Sequence, residues 1–359
     1  MKKRKPLSPI SFLYGAITRA RNLLYEKGIL KSQSLQTLTI SIGNITVGGT
    51  GKTPLVAYVA KVLAERGEKV CILTRGYGRD NPRQRVVVSD GEKIMADARE
   101  AGDEPFELAQ KLLGISAIIA DAKRVEAGNW ARENLKITAF VLDDGFQHLQ
   151  VKRDLDIVCV DATNPFGNGK VLPQGILRES LPNLKRADAI VITRANLIDE
   201  KQIETLKSVI TKLNSSVKIF VSENKVVELI NLKRFPAKLQ SSPSLEETKD
   251  NRQRTQDKYL AFCALGNPES FFEQLRCEQF NLVATEKFSD HHIYTQPDIK
   301  KIENEAVQKG AEILLTTAKD AVKLTHLKFN FPCFIVESGL TFDDESALIQ
   351  LIQNPKSKI

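Results

Sequence analysis

Residues 47–54 read VGGTGKTP and follow the apolar, β-branched run LTISI at 38–42. Glycines let a backbone curl around phosphate, a lysine reaches the β and γ oxygens, and a Ser/Thr hydroxyl faces magnesium. Gly49, Gly51, Lys52 and Thr53 supply those types, within a cradle formed by Thr46, Val47, Gly48, Gly49, Thr50, Gly51, Lys52 and Thr53. One position departs from the strict G-x-x-x-x-G-K-[ST] spacing, because Thr46 stands where the first glycine belongs. A helical pattern with Leu55, Val56, Val59, Val62 and Leu63 follows. Pro54 fits its first turn, where the missing N–H has no intrahelical partner anyway. A glycine-rich turn without a ligand is the alternative for this segment alone.

Phosphoryl transfer needs more than a loop. TAFVLDDGF at 138–146 places Asp143 and Asp144 after four apolar residues, where a carboxylate can hold magnesium through its water shell. A base for an acceptor hydroxyl must come from elsewhere. In AGDEPFELAQKLL, Asp103 and Glu104 precede a first-turn proline, Pro105. Position alone favours helix capping for these acids over catalysis. SDHHIY supplies Asp290, His291 and His292, types that orient a base, bind metal or decorate a turn. The long Gly/Pro-rich stretch NPFGNGKVLPQGILRES at 164–180 ends in Arg178 and Glu179. Arg178 has the chemistry to stabilise a transferring phosphoryl group and Glu179 to hold magnesium, with a surface ion pair as the alternative.

These residues need a scaffold that brings loop ends together. Apolar runs at 70–74, 86–89, 117–120, 138–142, 156–160, 189–193 and 218–222 alternate with helical patterns at 53–66, 105–113, 121–134 and 199–213. Continuous apolar strands separated by helices indicate an α/β fold, a mostly parallel sheet with helices on both faces. The stretch 223–258 turns polar and reads as a linker or exposed loop. Alternation then resumes, predicting a smaller C-terminal α/β domain over 259–359, after a core over 31–222.

The N-terminal residues 1–30 carry six basic groups before the first acid, Glu26. Arg19 and Arg21 interrupt the apolar stretch and no small-residue cleavage site follows, which disfavours a signal peptide. On a helix Ile10, Leu13, Ile17, Ala20 and Leu24 share a stripe, with Arg21 intruding. Such a helix can lie on an anionic membrane or pack on its own core, and an organelle transit peptide is a third reading. The formal charge of +8 favours anionic partners without choosing among them. Five cysteines without C-x-x-C spacing suit a reducing compartment and argue against a zinc site or disulfide framework.

GNITVGGTGKTP, TRGYGR at 74–79, GDEP at 102–105, LDDGFQHLQVKRDLDIV at 142–158, NPFGNGKVLPQGILRES, FSDHH at 288–292 and TTAKDAVK at 316–323 together resemble the tetraacyldisaccharide 4'-kinase family, the lipid A 4'-kinases. The resemblance covers almost the whole chain. It implies a P-loop NTPase-like core and transfer of the γ-phosphoryl of ATP to the 4'-hydroxyl of a tetraacylated glucosamine disaccharide 1-phosphate, giving lipid IVA. It also turns Thr46 into a family mark, since the family loop has Thr or Ser there. Asp103 becomes the base, paired with His291, against the capping preference. Lys52 and the loop amides would hold ATP, and Thr53, Asp143 and Glu179 would hold Mg2+ directly or through neighbours. Asp144 and His148 share the motif without separate roles.

By the same resemblance residues 1–24 become a peripheral anchor on the cytoplasmic face of the inner membrane, with no nucleic acid and no obligatory protein partner. One departure is Ala318, where the family motif T-E-K-D has glutamate. The rival reading, a P-loop GTPase or metallochaperone-type switch, would carry N-K-x-D after a late strand. TRAN at 193–196 lacks the lysine and aspartate. A nucleic-acid-binding module would interleave aromatics with its basic residues, and only 6% of this chain is aromatic.

Overall fold

The computed structural model describes residues 9–234, 256–265, 268–289 and 292–355. The chain forms two compact units, Met1–Glu223 with Leu340–Ile359, and Asn224–Gly339. Helix α1 (Pro9–Glu26) leads into β1 (Leu38–Asn44), α2 (Lys52–Glu65), β2 (Val70–Thr74) and β3 (Val86–Ser89). Then come α3 (Ala98–Ala101), α4 (Asp103–Lys111), β4 (Ser116–Ala120), α5 (Arg124–Leu135), β5 (Ala139–Asp143) and β6 (Leu155–Asp161). The core closes with β7 (Ala189–Thr193), α6 (Glu200–Leu213) and β8, which begins at Lys218.

Strands β2, β4, β5, β6 and β7 are buried along their whole length. That is the pattern of strands covered on both faces, and the sheet order β8-β7-β6-β1-β5-β2-β4-β3 is that of a doubly wound core. Among the described residues its strands pair in parallel except β3 with β4. Strand β1 therefore has β5 on one side and β6 on the other, so the loop that leaves its C-terminal end faces the ends of both.

Strand β8 runs on to Asn231, past the 222 boundary suggested by composition. Most of the polar stretch, residues 235–255, lies outside the described residues. The second unit holds β9 (Tyr259–Cys263), α7 (Pro268–Cys277), β10 (Leu282–Lys287), α8 (Gln296–Lys309), β11 (Ile313–Thr317), α9 (Ala318–Leu324) and most of β12 (Cys333–Phe342). Its strands lie in the order β10-β9-β11-β12, parallel throughout.

Residues from 340 onward return to the first unit. Leu348 and Ile352 of α10 (Glu345–Gln353) are fully buried in the same apolar cluster as Val56, Val59, Ala60 and Leu63 of α2. The Tyr58 hydroxyl donates to Glu345 at 2.7 Å, and its ring lies 4.8 Å from that of Phe342. The apolar periodicity of α10 demanded a partner, and the back of the phosphate-loop helix supplies it.

Candidate active site

The turn between β1 and α2 takes its shape from glycine. Gly48 (φ 104°) and Gly51 (φ 74°) have the positive φ that side chains disfavour, and Gly51 caps α2. Lys52 and Thr53 consequently open the helix, with their amides among the unsatisfied N–H groups of its first turn. One edge of the loop is paired. The Val47 amide donates to the Ile176 carbonyl at 2.8 Å and the Arg178 amide to the Ile45 carbonyl at 2.7 Å. The long 164–180 loop is thus stitched to the phosphate loop, which fixes where Arg178 emerges.

Lys52, Arg178 and the acid pair converge. Arg178 donates to both Asp144 oxygens, at 2.8 and 2.7 Å, and Lys52 Nζ stands 3.5 Å from the same carboxylate. Asp144 adopts a left-handed backbone (φ 53°), rare for a residue with a side chain. Burial pushes its carboxyl up, but Lys52, Arg178 and Arg124 together outweigh that and hold it below the usual range. Asp143 moves the other way. Burial raises its carboxyl first and Asp144 adds to this, while the Thr74 hydroxyl, donating at 2.8 Å, opposes them. A buried carboxyl whose charged form is disfavoured by desolvation is an electrostatic setting a divalent cation would complete.

The GDEP turn is held by backbone packing. Gly102 (φ 91°, ψ 152°) leads into α4 with its Cα against the Tyr77 carbonyl, where a Cβ would collide. Gly76 in turn packs on the Ala101 carbonyl. The TRGYGR and GDEP segments interlock through these two glycines, which sets the start of α4. Asp103 is exposed at its first position, and the helix N-cap is Gly102 rather than Asp103. The Glu104 side chain is open to solvent overall, yet partial desolvation first and Asp143 second raise its carboxyl. Glu104 and Thr53 line one cleft with Pro54, Glu107, Leu108 and Lys111.

Glu179, expected as a metal ligand, is 2% exposed and already engaged. One oxygen accepts from Asn22 at 2.6 Å, Asn183 at 2.8 Å and Arg186 at 3.0 Å, and the other from Arg186 at 3.2 Å. Its evident work is to hold the loop that presents Arg178. Helix α1 shares in it: Tyr14 donates to the Arg178 carbonyl at 3.0 Å and Arg21 to the Gln147 carbonyl at 2.9 Å. The opposite face leaves Ile10, Phe12, Leu13 and Ile17 each more than half exposed, so the apolar stripe is not spent on the protein's own core. Among the described residues no helix is long and apolar enough to cross a membrane.

Two groups that sequence spacing did not single out complete the site. Arg124 opens α5, is 4% exposed, and donates to the Asp143 carbonyl at 2.9 Å. Its other terminal nitrogen lies 3.4 Å from His148 Nδ1. Thr74, the last residue of β2, donates to the Asp143 carboxylate at 2.8 Å. Neither belongs to a spaced pattern in the sequence. The signal available was position, since both stand at the sheet's C-terminal edge.

His291 lies outside the described residues. Its neighbour His292 has Nε2 3.2 Å from Asp298 and stacks on Phe288 with ring centroids 4.8 Å apart, while its carbonyl accepts from Lys323 at 3.2 Å. In the departing motif Ala318 begins α9, and the neighbouring acid is structural: Asp320, fully buried, accepts from Thr317 Oγ1 at 2.6 Å and the Ala264 amide at 3.2 Å.

A doubly wound sheet with a Gly-Lys-Thr loop, an acid pair at the adjacent strand end and a convergent lysine and arginine defines a P-loop phosphotransferase. Residues 4–356 match the family model described as LpxK, tetraacyldisaccharide-1-P 4'-kinase, and the chain belongs to that family. Among its relatives, the tetraacyldisaccharide 4'-kinase of Halothermothrix orenii is 39% identical over 320 residues, 89% of this chain and 82% of that one. The namesake from Desulfotalea psychrophila is 36% identical over 337 residues, covering 94% and 92%. The crystal structure of LpxK from Aquifex aeolicus in complex with ATP superposes with a TM-score of 0.72 at 30% identity, over 97% of this chain and 98% of that one.

Proposed function

We propose that this protein is the ATP-dependent kinase that phosphorylates the 4'-hydroxyl of a tetraacyldisaccharide 1-phosphate in lipid A biosynthesis, giving lipid IVA. The observation that carries the chemistry is the meeting of Lys52 and Arg178 on Asp144 beside the buried Asp143. With ATP seated, the loop amides and Lys52 hold its β and γ oxygens, and Arg178 balances charge on the group in transit. The sugar oxygen attacks the γ-phosphorus, the bond to the β-phosphate oxygen breaks, and ADP leaves with that electron pair. The hydroxyl proton passes to the Asp103 carboxylate. The Thr53 hydroxyl and the Asp143 carboxylate would hold magnesium, which would supply charge neutralisation on the nucleotide. Glu179 serves this arrangement by anchoring the Arg178 loop.

The exposed stripe of α1 lies on the bilayer that holds the substrate's acyl chains, at the cytoplasmic face of the inner membrane. Because α1 also contacts the Arg178 carbonyl and Glu179, membrane docking and the catalytic loop share one helix. The test is incubation with labelled ATP and a tetraacyldisaccharide 1-phosphate followed by lipid separation. Label should enter the lipid, and Asp103→Ala should slow that transfer by about 10²- to 10⁴-fold while ATP still binds. Label found only as free phosphate would make the protein a hydrolase.

A further inference from the structure

On the side of the phosphate loop away from the acid pair, the TRAN turn after β7 approaches the loop closely. Thr193, 1% exposed, donates its hydroxyl to the Thr50 carbonyl at 2.9 Å and lies where a Cβ on Gly51 would touch it. Arg194, the next residue, has a left-handed backbone (φ 57°, ψ 33°). Side-chain-bearing residues adopt this conformation at a cost, and it concentrates at functional sites. The turn directs the guanidinium back over the loop. The nearest atom to a Cβ built on Gly49 is Arg194 Nη2, at 3.9 Å.

The other terminal nitrogen, Nη1, is ion-paired with Asp161 at the end of β6. Asp161 is itself oriented by Thr163, whose amide and hydroxyl donate to its other oxygen at 2.9 and 2.7 Å. A guanidinium beside the positively polarised amides of a phosphate loop is electrostatically unfavourable unless an anion joins them. Asp161 supplies part of that charge from behind, and the front is the bed of the polyphosphate. Strand order divides the labour: Asp143 and Asp144 come from β5 on one side of β1, whereas Asp161 and Arg194 follow β6 and β7 on the other.

From this placement we infer that Arg194 is a nucleotide-binding residue that grips the non-transferred α- and β-phosphates, held in position by Asp161. This rests on the loop binding ATP, as proposed above. The contact exists with ADP as well as ATP, and this separates Arg194 from Arg178, which faces the transferring end.

The experiment is calorimetric titration of ADP with magnesium into the full-length protein. Arg194→Met, which keeps the bulk of the side chain and removes its charge, should weaken ADP about 10- to 100-fold, the loss expected for a charge-assisted contact. Arg194→Lys should recover part of that loss. In the Arg194→Met background, Asp161→Asn should cost little more, because Asp161 acts through the guanidinium. Unchanged ADP affinity in Arg194→Met would overturn the inference, as would a loss confined to ATP. Equal losses in the Met and Lys variants accompanied by lower thermal stability would make Arg194 a prop for the loop and overturn it too. A wild-type protein that binds neither ATP nor ADP would instead overturn the reading of the loop itself.

Discussion

His148 couples the acid-pair motif to the stability of the first unit. Its imidazole is pushed down to about 4, by burial first and then by the charges of Arg124, Arg153 and Arg21. In an unfolded chain the ring would titrate near 6.5. Above that value neither state binds a proton, and the folded state has its full stability. Between 6.5 and 4 the unfolded state binds a proton that the folded state refuses, so stability falls as pH falls. Linkage over that window gives about 2 kcal/mol lost between pH 7 and pH 5, and solvent access to a partly buried ring reduces this to about 1 kcal/mol.

His148→Gln keeps a polar group beside Arg124 and removes the titration. The single tryptophan, Trp130, packs on α5 against the apolar cluster of the first unit, so its fluorescence follows that unit alone during urea unfolding. Wild type should lose about 1 kcal/mol more than His148→Gln between pH 7 and pH 5, the other titrating groups being common to both. Equal losses in the two proteins would refute the reasoning.

Gly102→Ala forces a Cβ onto a backbone conformation reserved for glycine and against the Tyr77 carbonyl; urea unfolding should show about 1–3 kcal/mol of destabilisation. Kinase activity should fall further than stability, since the start of α4 must shift. The double substitution Leu13→Glu with Ile17→Glu changes side chains that are 60% and 59% exposed, so stability should hold within about 0.5 kcal/mol. Flotation with vesicles containing anionic lipid should nevertheless lose the protein from the lipid fraction, and unchanged flotation would remove α1 from the membrane contact.

The sheet was legible because its strands are continuous apolar runs: 70–74, 86–89 and 189–193 match β2, β3 and β7 at both ends. Lys52, Asp143 and Asp144 were legible because their spacing follows a strand end. Asp144 and Arg178, however, sit 34 residues apart and meet only through the stitching of the 164–180 loop to the phosphate loop. Nothing local marks that pairing. The hydrogen-bond partners of Glu179 were hidden for a related reason, since Asn22 is 157 residues away and packing alone reveals that contact. Arg124 reads as an ordinary first-turn arginine of an amphipathic helix; only its burial shows that it braces the acid pair. Residues 340–353 looked like part of the second domain because sequence order suggested it, whereas their apolar face matches α2.

That last feature has a consequence for how the protein is made. On the ribosome, α2 and the sheet behind it emerge early, but the surface that receives Leu348 and Ile352 stays bare until nearly three hundred more residues have been synthesised. The phosphate-loop helix is then locked by a segment that arrives late. Premature termination anywhere in the second unit therefore yields a product with an open apolar face behind its nucleotide site, a natural target for chaperones and proteases.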